Sequence, residues 1–106
     1  MKERQLQTKV CNYLQTVDGL WYWKTNDRFT RGIPDIIGCY CGFLFGIELK
    51  VGTNKMSMMQ RKILKLIRAS GGFATCAYDM SRVKVFIEQI KYEKGGESNE
   101  SKHDGA

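Results

Sequence analysis

Residues 35–40 (DIIGCY) and 43–50 (FLFGIELK) are two runs of β-branched and aromatic residues separated only by Cys41-Gly42. A two-residue connection containing glycine, which takes positive φ without strain, predicts an antiparallel hairpin. With the tip centred on Cys41-Gly42, Tyr40 faces Phe43, Gly38 faces Phe45 and Asp35 faces Glu48. Directly opposed residues hold their Cβ atoms roughly 4.5–5.5 Å apart. Lys50, two residues past Glu48, emerges on the same face. The hairpin thus gathers two carboxylates and an ammonium on one side of a sheet. A three-residue tip, or a bulge at Gly38 or Gly46, would shift the pairing by one and undo this.

The flanking segments supply the rest of a small fold. Leu6, Val10, Tyr13, Leu14 and Val17 recur with helical period and predict an amphipathic helix over 3–17, ended by Asp18-Gly19. Glu3 falls within the same half-turn as that stripe. It can be read as a first-turn acid favoured by the helix dipole or as part of a site. Residues 20–24 (LWYWK) read as a strand, followed by a polar loop to Ile33 and by Pro34 at the start of the next strand. After a loop over 51–56, Ser57 opens a second helix with capping-box spacing to Gln60. Met59, Ile63, Leu64, Leu66 and Ile67 form its apolar arc, opposite Arg61, Lys62, Lys65 and Arg68. Gln60 lies near the middle of the apolar arc, so a role in capping competes with a role directed inward, where an amide needs a partner. Residues 73–78 predict a buried strand closing a β-α-β crossover, parallel to 43–50. Ser81 is the expected cap of a last helix reaching about Tyr92, packed through Val83, Phe86, Ile87 and Ile90. The predicted class is α/β, a core of order α-β-β-β-α-β-α with a mixed four-stranded sheet flanked by helices. It forms one domain over 1–93, and the polar stretch 94–106 is expected to lack structure.

Composition narrows the function classes. The beginning of the chain is too polar for a signal peptide, and no apolar run reaches membrane-spanning length, which predicts a cytoplasmic protein without membrane contact. Cys11, Cys39, Cys41 and Cys76 form no C-x-x-C pair, and His103, the one histidine, lies in the polar tail; zinc spacing is absent. Reduced thiols are expected rather than a disulfide scaffold. The net charge is +6. Residues 94–106 hold two lysines against three acids, so the folded part is more basic still and suits a polyanion such as nucleic acid.

Two carboxylates set face to face raise one another's pKa unless a cation intervenes. Mg²⁺ or Mn²⁺ bound through oxygen ligands relieves that repulsion and keeps positions open for water and a phosphate oxygen. A lysine beside them suits the negative charge that develops on phosphorus. Acyl transfer is a poorer match, because no serine or cysteine nucleophile has a histidine partner in the folded part. No glycine-rich phosphate loop opens a helix either.

Pro34-Asp35, followed at twelve residues' distance by Glu48-Leu49-Lys50, resembles the PD-(D/E)-x-K nuclease signature. With Glu3 in an opening helix, Gly32-x-Pro34-Asp35, Ile47-Glu48-Leu49-Lys50 and Ser57-x-x-Gln60, the chain resembles the virus-type replication-repair nuclease (VRR-NUC) domain over residues 3 to about 90. The resemblance implies a restriction-endonuclease-like fold and a metal-dependent endodeoxyribonuclease. It implies that Asp35, Glu48 and the backbone carbonyl of Leu49 hold the metal. Lys50 would assist the attacking water, Glu3 would bear on the metal shell directly or through water, and Gln60 would position the lysine or the substrate. It further implies a homodimer acting on branched DNA such as Holliday junctions, as a phage or bacterial protein within a bacterial host. For phosphate contacts the residues themselves offer Lys24, Arg28 and Arg31 near the acidic pair and the basic arc Arg61, Lys65 and Arg68. Two rivals stand beside this expectation: a non-catalytic DNA-binding or assembly module on the same fold, and a nuclease directed at RNA or mismatches. The bland reading of Glu48 and Lys50 is an exposed strand ion pair.

Overall fold

Cys41 and Gly42 both adopt positive φ (56° and 85°), the geometry of a type I′ turn, whose twist matches that of the strands it joins. They connect β2 (Ile36–Tyr40) to β3 (Phe43–Leu49) in the predicted register: Tyr40 with Phe43, Gly38 with Phe45, Ile36 with Ile47. The chain is seen here in a computed structural model that describes residues 1–26 and 31–101, with side chains to residue 95. Ahead of the hairpin stand α1 (Glu3–Gln15) and β1 (Leu20–Lys24), which pairs antiparallel with β2. After it come α2 (Met58–Ala69), β4 (Phe73–Ala77) and α3 (Met80–Ser101). Strand β4 lies parallel to β3, so the protein is α/β with a mixed four-stranded sheet in the order β1-β2-β3-β4, flanked by three helices. Among the described residues no helix is long and apolar enough to cross a membrane.

Strand alternation divides the sheet into two unlike faces. Ile36, Phe45, Ile47 and Leu49 point toward α1 and α3, where Leu6, Val10, Leu14, Val83, Phe86, Ile87 and Ile90 complete a closed apolar core. Phe45, Phe73 and Phe86 meet there edge to face. The opposite face carries Gly46, above which Pro34 and Ile67 of α2 sit so closely that an added Cβ would lie 3.0–3.1 Å from them. That contact seats α2 over β3 and β4.

Helix ends depart from expectation in three ways. The first helix stops at Gln15 rather than Val17, where Thr16 turns back onto the Tyr13 carbonyl. The cap of α3 is Asp79, whose carboxylate accepts from the Arg82 N–H (2.9 Å), and Ser81 lies inside the helix. An ionised side chain satisfies an orphan N–H at least as well as a hydroxyl and favours the positive helix end. Finally, α3 runs to Ser101 instead of ending near Tyr92. Each added residue brings one further backbone hydrogen bond, and Glu93, Lys94, Glu97 and Glu100 are good helix formers that offset Gly95 and Gly96.

Candidate active site

Asp35 lies one residue before β2, continuing the ladder by one step to face Glu48. The N–H of Leu49 donates to Asp35 Oδ2 (2.8 Å). Thr25, just past β1, secures the same residue from the other side: its N–H donates to the Asp35 carbonyl (3.0 Å) and its hydroxyl to the Pro34 carbonyl (2.8 Å). The predicted cross-strand placement of Asp35 opposite Glu48 is therefore present, with Asp35 held by the backbone.

Glu48 is 2% exposed, on a sheet face covered by α2. Its Oε2 accepts from the Gln60 amide (2.9 Å) and lies 3.5 Å from Lys50 Nζ. Its other oxygen, Oε1, is buried with no hydrogen-bond partner. Leaving a carboxylate oxygen unsatisfied in a dry setting is costly, on the order of 1–3 kcal/mol or more. Burial, then the charge of Asp35, push the Glu48 carboxyl from its ordinary value near 4.5 up to about 7, against the pull of Lys50. Burial raises Asp35 as well, opposed by the Leu49 N–H and by Lys50. The exposed-ion-pair reading of Glu48 and Lys50 is thereby corrected: the pair is real, but its carboxylate is internal.

Gln60 resolves a choice that helical periodicity leaves open. Its amide oxygen accepts from the Ser57 N–H (2.8 Å) while the Ser57 hydroxyl accepts from the Gln60 N–H (3.1 Å), a full capping box. The amide nitrogen remains available and donates to Glu48. Capping and site-directed roles do not compete, because the two ends of one amide serve them separately. Gly32 lies directly against this helix end. Its φ is 85°, and a Cβ there would fall 2.7 Å from the Met59 backbone oxygen.

The other candidates fall in different places. Glu3 is exposed at the start of α1, and its charge adds last and least to the upward push on Glu48. Lys24 pairs with Ile36, and its charge acts on Cys11 of α1; the register puts it on the face opposite the carboxylates, not beside them. Arg31 is exposed in the loop before Gly32, while Arg28 lies outside the described residues. Arg61 and Lys65 are exposed on the outer side of α2. Arg68 donates twice to the Ala74 carbonyl (3.2 and 3.0 Å), blunting the outer edge of β4. Cys76, read from sequence only as a thiol, is the β4 partner of Glu48, and burial followed by the Glu48 charge pushes its thiol up. Only the parallel register could have signalled that.

Among the described residues no group of three His, Cys, Asp or Glu side chains could hold a metal ion. The donor set is instead two carboxylates, one with a buried oxygen lacking any partner, beside the peptide of Leu49. This set fits a hard divalent cation, which accepts oxygen from carboxylates and backbone carbonyls and keeps water in its remaining positions. Comparisons with protein-family models, with curated proteins and with solved structures found no match to this chain.

Proposed function

We propose that the protein is a metal-dependent phosphodiesterase acting on DNA. The observation that carries this reading is Glu48 Oε1, a buried, unpartnered carboxylate oxygen on the residue opposite Asp35, with Lys50 and Gln60 on its other oxygen. More particularly, the motif resemblance supports an endonuclease of the VRR-NUC kind, selective for branched DNA such as Holliday junctions. Asp35, Glu48 and the Leu49 carbonyl would hold Mg²⁺ or Mn²⁺. The bound cation would supply Lewis-acid stabilisation of the phosphate and acidify its coordinated water. Gln60 keeps Glu48 aimed. The Lys50 ammonium offsets the acidic pair and would orient the attacking water and stabilise charge on phosphorus. Water oxygen bonds to phosphorus, the ester P–O bond breaks, and the leaving alkoxide takes up a proton.

The test is cleavage of linear, forked and four-way-junction DNA in Mg²⁺ by the wild type, Asp35→Asn and Lys50→Ala. Each variant should lose roughly a thousandfold in rate, the scale of deleting one essential electrostatic group. Undiminished cleavage by both would sink the assignment. Salt-sensitive binding with no turnover in any metal would favour the non-catalytic module. Two cuts across a junction suit a symmetric pair of chains. For that pairing α3 offers a groove of about 790 Å³ whose lining combines Phe73, Val85 and Tyr92 with Lys84, Glu88 and Glu93. Light scattering of the wild type and Val85→Glu reads the mass directly.

A further inference from the structure

Helix α2 covers its face of the sheet only above β3 and β4. Above β1 and β2, and at the first residues of β3, that face is bare: Trp21 and Trp23 are 58% and 60% exposed, and Leu44 is 51% exposed. The register arranges this surface in rows, Trp21–Cys39–Leu44 and then Trp23–Ile37–Gly46. The following row is Thr25–Asp35–Glu48, tied together by the Thr25 hydrogen bonds to residues 34 and 35. At roughly 3.4 Å per residue, Trp23 stands about 7 Å along the strands from the acidic pair and Trp21 about twice as far. Two indoles thus lead away from the candidate catalytic row on its own face.

Charge selects the occupant. Residues 49–78, which supply α2 and its flanks, contain six lysines and arginines and no acid. Among the described residues, acids other than Asp35 and Glu48 lie on α1, on α3 or in the turns beside them. The side of the molecule bearing the tryptophans is therefore the basic side. Apposing two copies through it would bring like charges together, whereas a polyanion is drawn to it. We infer that this bare face is a subsite for unpaired nucleotides flanking the scissile phosphate, their bases stacking on Trp23 and Trp21. The spacing agrees with unpaired strands. Side chains two apart on a strand are about 7 Å apart, twice the 3.4 Å rise of a duplex strand, so bases must be unstacked from one another to lie on both. The inference deepens the nuclease reading and depends on it for the position of the scissile phosphate.

The experiment measures binding without turnover, so its outcome is separate from that of the cleavage test. Full-length protein in EDTA is titrated into a blunt duplex and into the same duplex carrying a 5′ or a 3′ oligothymidine overhang. Fluorescence anisotropy and tryptophan emission are followed. At least one overhang probe should bind ten- to a hundredfold more tightly than the blunt duplex and quench tryptophan emission. Trp21→Ala/Trp23→Ala should abolish that preference while leaving blunt-duplex affinity unchanged. Trp21→Phe/Trp23→Phe, which keeps an aromatic platform, should restore most of it. Equal affinity of the wild type for all three probes would overturn the proposal, as would an equal loss on every probe in the alanine variant. So would sedimentation showing that the alanine variant converts an associated protein to single chains, because the face would then be a protein contact.

Discussion

The two faces of one sheet follow opposite rules. Toward α1 and α3, the buried positions of β2 and β3 (Ile36, Phe45, Ile47, Leu49) are apolar, and the helices close over them. Toward α2, one residue out of step, the same strands present Asp35, Gly46, Glu48 and Lys50, with half the surface uncovered. Since a pleated strand sends alternate side chains to opposite sides, stability and chemistry are separated without separating the residues in sequence. The first face holds the fold together well enough to keep an unfavourable arrangement on the second. Polar burial that lowers stability without an evident structural return is where function is expected.

The sharpest way to break this contrast is to cut into each face. Phe45→Ala opens a cavity against Phe86 and should cost about 3–5 kcal/mol in urea unfolding. Trp21→Ala, an equally large deletion on the bare side, should change stability by no more than about 0.5 kcal/mol. Comparable losses would mean the bare side is part of the core.

Next in size is the response to pH. The Glu48 carboxyl is raised in the folded chain from about 4.5 to about 7, so between those values the folded state holds a proton that the unfolded state has released. In the metal-free protein the contribution of Glu48 to stability is then fully present below about pH 4.5 and is lost as pH rises through 7, by on the order of 3 kcal/mol. Asp35, raised in the same direction, adds to the decline. Glu48→Gln should flatten this dependence and make the metal-free protein more stable at pH 8. Mg²⁺ should take over from the proton, stabilising the wild type more as pH rises through 7, because only the ionised pair binds it. Urea midpoints at pH 5 and 8, in EDTA and in Mg²⁺, measure both. A wild type with the same pH dependence as Glu48→Gln would remove the buried-charge account.

Much of this contrast was legible in the residues, for a local reason. A two-residue turn fixes a hairpin register, and the register alone brings Asp35 opposite Glu48 and puts Lys50 on their face. Features that depend on packing at a distance were not legible. That Cys76 neighbours Glu48 depends on where the crossover through α2 sets β4 down. That Lys24 faces away from the acids depends on the register of β1 against β2; that Trp21 and Trp23 stay uncovered depends on which strands α2 chooses, and Gly46 decides that by letting Pro34 and Ile67 close in. A helical wheel placed Gln60 correctly but could not show that one amide serves two partners.

Gln60 therefore supports a smaller and more specific prediction. Gln60→Ala removes both the capping box and the donor to Glu48 and should cost about 1–2 kcal/mol. Gln60→Glu keeps the acceptor for the Ser57 N–H but replaces the donor with a third acid. It should preserve the cap while raising Glu48 further, so that Mg²⁺ binding becomes more steeply dependent on pH. The same pH dependence of Mg²⁺ affinity in Gln60→Glu and wild type, by calorimetry, would confine Gln60 to capping.

The smallest effect distinguishes the faces by electrostatics alone. Lys65 is exposed on α2, on the basic side, whereas Lys24 pairs with Ile36 and belongs to the side of α1. If DNA lies across the α2 side, Lys65 neutralises a phosphate and releases its counterion, and Lys24 does not. Lys65→Ala should then lower the slope of log affinity against log salt by about 0.9 and weaken duplex binding by tenfold or less at moderate salt. Lys24→Ala should leave the slope unchanged although both variants lose the same charge, which separates a contact from a change in overall charge. Equal slopes in the two variants would mean that DNA wraps past the edge of β1 onto the α1 side. The division of labour between the faces would then hold for packing but not for binding.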